Sequence, residues 1–386
     1  MHDMSAVTSF VRDLLIISPQ VVGGLWIAAA VALVLACRLY RRHRSAAWVA
    51  VIACSLLLPA AAADAVNAHY QYLPRVADVV NVPTWPTAPR SALLPASVHR
   101  GYPRGAVLEI PIPGRASGFG VHTALAYLPP QYFTEPTRRF PVVYLVHGSP
   151  GAPIDWFRAA RAAQAALVAA QAGHPVVLVA PRASRYWSDD SECVDRPSEH
   201  IETYLSRDVP EVIDQRLRTL ADRGHRVIAG NSAGGYCALN VGLRHRGVFS
   251  VVLDLSGYDR PTFDGGLARL FGSRRQLAAR VAAQSPGVYA RTLAGQPRMS
   301  VWLDYGRADG RPSKDALHMA RLLRAAGQDV VVRGRPGHHD YGVWRPALRE
   351  SLLWAAATVT GRDGEGKPAR APTRPTVTPR SQQVRT

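Results

Sequence analysis

Two long uncharged stretches open the chain, and their patterning is not that of a water-soluble core. From Leu14 to Cys37 no side chain is charged, and the segment VVGGLWIAAAVALVLAC is apolar on every face of a helix. A bilayer core takes about 20 such residues, whereas a core helix of a soluble protein keeps a polar stripe. Arg38, Arg41, Arg42 and Arg44 end this run, and a second one extends from Ser45 to Ala63 and stops at Asp64. The pattern predicts a two-helix transmembrane hairpin over residues 1–66. Four arginines in the short connection, against Arg12 and Asp13 on one outer flank and Asp64 on the other, place the connection in the cytoplasm and the rest of the chain outside. The competing reading is a signal peptide cleaved near AAAAD; the full-length apolar run before it argues against that. Both readings export the remainder.

After the hairpin the periodicity fades. Residues 67–104 are rich in proline and turn formers and read as a linker that lies along the next domain. From there to about residue 360 short β-branched runs alternate with helical patterns. The expected strands are 121–128, 140–147, 176–180, 226–230, 251–255, 300–305 and 329–333. The first alternates, as an antiparallel strand with one wet face does; most others are near-continuous apolar runs, as strands covered on both faces are. Ile201, Leu205, Val209, Ile213 and Leu217 recur every four residues, with Pro210 predicting a kink or a later helix start. Ala316, Ala320 and Leu323 line another helix face. Strand–helix alternation over residues 105–360 gives an α/β class, a mostly parallel doubly wound sheet with helices on both faces. The tail, 361–386, is Pro-, Thr- and Arg-rich with almost no apolar residue, and predicts disorder.

Composition changes this picture little. The net charge is +18, but of the 46 basic residues all except Lys314 and Lys367 are arginine, spread along the whole chain. That reads as a compositional bias and not as a nucleic-acid-binding surface. The 4 cysteines form no C-x-x-C pair, so a structural zinc site is not expected.

The chemistry concentrates in RVIAGNSAGGYCALNVG. Gly230-Asn231-Ser232-Ala233-Gly234 is a G-x-S-x-G sequence placed between an expected strand and an expected helix. A serine at such a sharp turn projects its hydroxyl from the sheet edge, and the glycines let neighbouring chains pass closely. A serine hydroxyl needs a base, and the base an orienting carboxylate. The loop after strand 300–305 supplies Asp309, ahead of Asp304 and Asp254. The loop after 329–333 supplies His338 and His339, of which one is expected to act; as no third ligand lies at metal spacing, a metal site is not expected. An oxyanion would be held by the N–H groups of Ala233 and of Ser149, in the turn after YLVHG; His147 in that turn reads as structural.

These segments make the domain recognisable. RGAVLEIPIP, TALAYLPPQYF, FPVVYLVHGSPG, AGNSAGGY, LDYGRADG and PGHHDYGVWRPAL together resemble the esterase D-like branch of the α/β-hydrolases, which also contains the secreted mycolyltransferases of actinobacteria. In that family the histidine is followed by Asp and an aromatic, with Trp a few residues on; His339, Asp340, Tyr341 and Trp344 fit, which selects His339. The resemblance implies acyl transfer from an ester to water or to a sugar hydroxyl, without a cofactor. It suggests an extracytoplasmic, membrane-anchored esterase or acyltransferase acting on envelope lipids or acyl sugars. The alternative is a non-catalytic cell-wall-binding or scaffold protein on the same fold.

Residues 257–298 are expected to cap the pocket. Trp156, Phe157, Tyr186, Trp187 and Tyr258 are the aromatic candidates for its wall, with Trp156 and Tyr258 put forward as substrate-binding. In an exported domain a Cys193–Cys237 bridge is permitted and expected. Asp189, Asp190 and Glu192 read as a solvated acidic loop.

Overall fold

The computed structural model describes residues 15–40, 44–80, 85–86, 101–197, 199–263, 265–272 and 276–361. The tail expected to be disordered, from residue 362 on, the arginines at 41 and 42, and residues 81–84 and 87–100 of the expected linker lie outside the described residues.

Eight strands form one sheet: β1 (Ala106–Gly114), β2 (Gly120–Leu128), β3 (Val142–Val146), β4 (Val177–Ala180), β5 (Arg226–Asn231), β6 (Val251–Leu255), β7 (Ser300–Gly306) and β8 (Asp329–Arg335). Their spatial order is β1-β2-β4-β3-β5-β6-β7-β8. β1 and β2 pair antiparallel, as do β2 and β4; every later pairing is parallel. This is the α/β-hydrolase fold. The seven strands expected from the pattern are present. The eighth, β1, was missed because Pro111 and Pro113 argue against a strand. It is an edge strand, where proline is tolerated, and its Ala106, Leu108, Ile110 and Ile112 alternate inward.

Helices cover both faces. The principal ones after the apolar pair are α3 (Ala162–Gln171), α4 (Val209–Arg216), α5 (Ala233–Arg244), α6 (Gly310–Ala325) and α7 (Tyr341–Thr360). α4, α5 and α6 build one core with the sheet, and α3 and α7 build the other. Ile201, Leu205, Val209, Ile213 and Leu217 are all buried. Of the two outcomes expected at Pro210, the later helix start is found: α4 begins at Val209 with Pro210 in its first turn, and the π-helical turn Tyr204–Asp208 leads into it.

The apolar pair consists of α1 (Pro19–Tyr40) and α2 (Arg44–Tyr70), each long and apolar enough to cross a bilayer. Their residue distribution inverts that of a soluble protein. Small residues are buried, Ala29, Ala32 and Ala36 on α1 and Ala47, Ala50, Cys54 and Ala61 on α2, while Trp26, Ile27, Val31, Trp48, Val49, Ile52 and Leu56 face outward. Small residues at the contact let helices approach closely where no hydrophobic effect drives them together. α2 does not end at the hairpin boundary expected at residue 66 but runs on to Tyr70, because VNAHY contains nothing that breaks a helix. Beyond it, Val107 N–H donates to the Pro86 carbonyl (2.9 Å), and Trp85 packs edge-on against Tyr127, so the end of the connection lies along the sheet edge.

Candidate active site

Ser232 stands between β5 and α5 with φ 57° and ψ −125°. For a residue with a side chain this backbone costs about 1–3 kcal/mol and persists only where the surroundings impose it. The glycines show how. A Cβ at Gly230 would lie 1.8 Å from the Gly234 carbonyl oxygen, and one at Gly234 would lie 2.2 Å from that of Val146. Strand, turn and helix therefore pass at distances no side chain permits. The Ser232 N–H donates to the Leu255 carbonyl (2.9 Å), which holds the turn on the sheet.

The other two groups arrive on adjacent loops. A Cβ on Gly306, at the end of β7, would come within 2.5 Å of the His338 carbonyl oxygen, and the Ala308 N–H donates to the Gly337 carbonyl (3.0 Å). These close contacts lay the β7 and β8 loops side by side. His339 then places Nε2 2.7 Å from Ser232 Oγ and Nδ1 2.9 Å from both carboxylate oxygens of Asp309. Asp309 is buried at the N-cap position of α6, where the helix dipole favours a negative charge although the side chain makes no capping bond. Asp340 accepts from the Val343 N–H and starts α7 immediately after His339, while Trp344 meets the imidazole edge-on at 4.9 Å. Helix start and indole together fix the ring. An alcohol, an imidazole and a buried carboxylate thus form one hydrogen-bonded row, able to move a proton from oxygen to nitrogen while the carboxylate stabilises the resulting imidazolium.

The alternatives weighed for these roles are placed elsewhere. His338 is exposed and does not line the cavity that Ser232 and His339 border. Asp304 is buried in an ion pair with Arg335 and accepts from the Trp302 indole. Asp254 lies behind α5, accepts from Gly257 N–H (2.7 Å), and burial pushes its pKa up to about 7. His147 is structural: its Nδ1–H donates to the Gly148 carbonyl (2.8 Å) and its Nε2 accepts from Ala183 N–H (3.1 Å). Burial holds its pKa below the usual histidine value, which keeps that tautomer neutral.

A cavity of about 510 Å³ opens on the row. Gly148, Ser149 and Pro150 form one side of it, and Asn231, Ser232, His339, Tyr341 and Trp344 the floor. Ala233 opens α5, so its N–H is among those a helix start leaves without an intrahelical acceptor.

Three expectations about the wall are corrected. Trp156 is 1% exposed and belongs to the core between α3, α7 and the sheet, as does Phe157. Tyr258 stacks on Tyr236 at 5.2 Å and does not reach the cavity. None of the described residues of 257–298 lines it; that segment packs on itself and on α5 and α6. Of the five aromatic candidates only Trp187 borders the cavity.

The remaining wall comes from Asp155 and from the end of α2 and the residue pair beyond it: Ala63, Val66, Asn67, Tyr70 and Tyr72. No local pattern marks residue 66 as lining one cavity with residues 232 and 339; the only sequence trace is the polar cluster Asn67, His69, Tyr70 that follows the apolar run.

Cys193 and Cys237 are joined by a disulfide, tying the loop after β4 to the helix that follows the serine. The acidic loop is not solvated throughout, because Glu192 is fully buried. Among the described residues no cluster of three or more His, Cys, Asp or Glu is arranged to hold a metal.

Comparison with known proteins agrees with this architecture. Residues 121–355 match the Esterase family model ("Putative esterase"), more than half of the chain. An uncharacterized protein of Corynebacterium glutamicum is 30% identical over 271 residues, 65% of this chain, and the match spans only 62% of that relative's length. Among solved structures, a ferulic acid esterase superposes with a TM-score of 0.55 at 22% identity, covering 65% of this chain and 97% of its own. The S-formylglutathione hydrolase of Agrobacterium tumefaciens superposes at 0.52 with 20% identity, covering 66% and 95%. By the match of its sheet, elbow and later loops to that family model, the chain belongs to the esterase family.

Proposed function

We propose that this chain is a membrane-anchored, extracytoplasmic serine carboxylic ester hydrolase or acyltransferase that works through an acyl-enzyme on Ser232. The observation that carries the reading is the unbroken row from Ser232 Oγ through His339 to Asp309, at 2.7 and 2.9 Å, with Ser232 and His339 in the floor of a cavity. In the first half-reaction His339 Nε2 takes the hydroxyl proton as Ser232 Oγ attacks the ester carbonyl. The N–H groups of Ala233 and Ser149 stabilise the oxyanion. As the C–O bond of the ester breaks, the imidazolium returns its proton to the departing alcohol. Water, or a sugar hydroxyl, then takes the acyl group by the same proton path in reverse.

Two features support the anchor and its side. The outward bulky and inward small residues of α1 and α2 suit a lipid surround, and the arginines at the connection suit the cytoplasmic face. The Cys193–Cys237 bridge fits an oxidising compartment.

Product analysis tests the reading. The purified full chain is given a short acyl ester with and without trehalose. Free acid, or acylated sugar, formed by the wild type and lost in Ser232→Ala supports it, and the product says which acceptor is used. Equal turnover by the variant rejects it.

A further inference from the structure

The cavity wall at Ala63, Val66, Asn67 and Tyr70 is one face of α2, at spacing i, i+3, i+4, i+7, and α2 is itself one of the two apolar helices. The uncharged run Ser45–Ala63 is about 28 Å long at 1.5 Å per residue, close to the hydrocarbon thickness of about 30 Å. The wall residues begin where that run ends and continue for about 10 Å beyond it, which carries them through a headgroup layer of about 5–8 Å to its outer edge. The opposite face of the same helix end, at Ala68, His69 and the adjoining Gln71, borders a second cavity beside Asp309 and His338, so α2 lies across the reacting row.

Several bonds hold this wall in place. The Asn67 side chain accepts from the Leu73 N–H and donates to the Leu73 carbonyl, both at 2.8 Å. The Tyr72 hydroxyl donates to Asp155, and its ring packs edge-on against Tyr341. A separate observation lies at the mouth: Tyr186 and Trp187, on the loop after β4, are 66% and 60% exposed, and Trp187 borders the cavity. Exposed Trp and Tyr gather where a protein meets the headgroup layer.

We propose that the substrate is an O-acyl lipid taken from the outer leaflet without leaving it. Its ester carbonyl reaches Ser232 at headgroup depth, and its acyl chain lies against α2 at Val66 and Tyr70. The acyl carbon leaves the lipid alkoxyl oxygen for Ser232 Oγ, the lipid alcohol takes the proton from His339, and water releases the fatty acid in the second step. This rests on the esterase reading above.

The test uses the full chain in nanodiscs of dioleoylphosphatidylcholine and a long-chain alkyl fluorophosphonate carrying a photoreactive diazirine in its alkyl chain. After Ser232 is phosphonylated, irradiation should cross-link the alkyl chain to residues 63–70. An adduct on Ser232 with cross-links confined to 257–298, or to any surface other than α2, overturns the lipid-wall proposal and leaves the esterase reading standing. No adduct on Ser232 overturns both. As a second measurement, Val66→Arg should lower the ratio of kcat/KM for a dodecanoyl over an acetyl nitrophenyl ester by about tenfold or more. An unchanged ratio contradicts the proposal.

Discussion

The guanidinium of Arg345 donates to the carbonyl oxygen of Gln71 at 3.0 Å, joining the residue that follows α2 to the helix that starts just beyond His339. The same side chain donates to the Ala159 carbonyl (2.8 Å). Burial, with Arg161 nearby, lowers its pKa to about 10, still far enough above neutrality to keep the charge. One cation therefore fastens the end of an apolar helix to the esterase domain.

Arg345→Ala removes these bonds and leaves partly buried carbonyls without donors, at a cost of about 2–3 kcal/mol. Hydrogen exchange should show faster exchange over residues 67–73 and in the first turn of α7. Unchanged exchange in 67–73 would mean that other contacts hold the helix end.

Asp309→Asn should leave the fold intact and lower kcat by about three to four orders of magnitude. The carboxylate accepts from Nδ1–H of His339, which leaves Nε2 free to take the serine proton. An amide NH₂ in its place favours the opposite tautomer. Steady-state kinetics with a short ester check this, and a loss below tenfold would remove Asp309 from the orienting role.

Glu192 supplies a pH prediction. Its Oε1 accepts from Thr262 N–H (2.6 Å) and hydroxyl, while Oε2 is buried without a partner. Burial first, then the charge of Asp190, raises its pKa from 4.5 to about 8. Because the folded value lies above the unfolded one, the folded state holds its proton longer as pH rises. Stability should fall with increasing pH between about 4.5 and 8. Glu192→Gln keeps the acceptor for Thr262 and should flatten that fall, gaining about 1–3 kcal/mol at pH 8 and nothing at pH 4. Denaturant unfolding at the two pH values measures it; parallel pH profiles for wild type and variant would refute it.

The disulfide closes a loop of 44 residues that contains α4, β5 and the serine turn. Reduction, or replacing both cysteines by alanine, should destabilise the domain by about 2–4 kcal/mol. Thermal melts with and without reductant check the size, and coincident melts would show that the bridge adds no stability.

Much of this architecture was legible along the chain, for identifiable reasons. β3 to β6 are buried on both faces, so their sequences are almost wholly apolar, broken only by Arg226 and Asn231 at the ends of β5 and by Asp254 in β6. Ser232 is marked by the two glycines its turn demands; the chain order such a serine imposes leads to Asp309 and to the His338–His339 pair, and the family resemblance selects His339 from the pair. β1 was hidden because its prolines mask an alternation that an edge position tolerates. Trp156 and Tyr258 lie close in sequence to site loops, yet their side chains turn into the packing between helix and sheet, a direction that sequence proximity does not encode. The α2 wall was invisible for a different reason. It joins segments 83 residues apart at Tyr72 and Asp155, and the packing of one helix end across distant loops leaves no periodic trace.

The account stands on Ser232 as the nucleophile. Intact-mass analysis and peptide mapping after treatment with a fluorophosphonate should show one adduct per chain, on Ser232, absent from Ser232→Ala and strongly slowed in His339→Ala. Equal labelling of wild type and Ser232→Ala, or an adduct mapped to another residue, would contradict it.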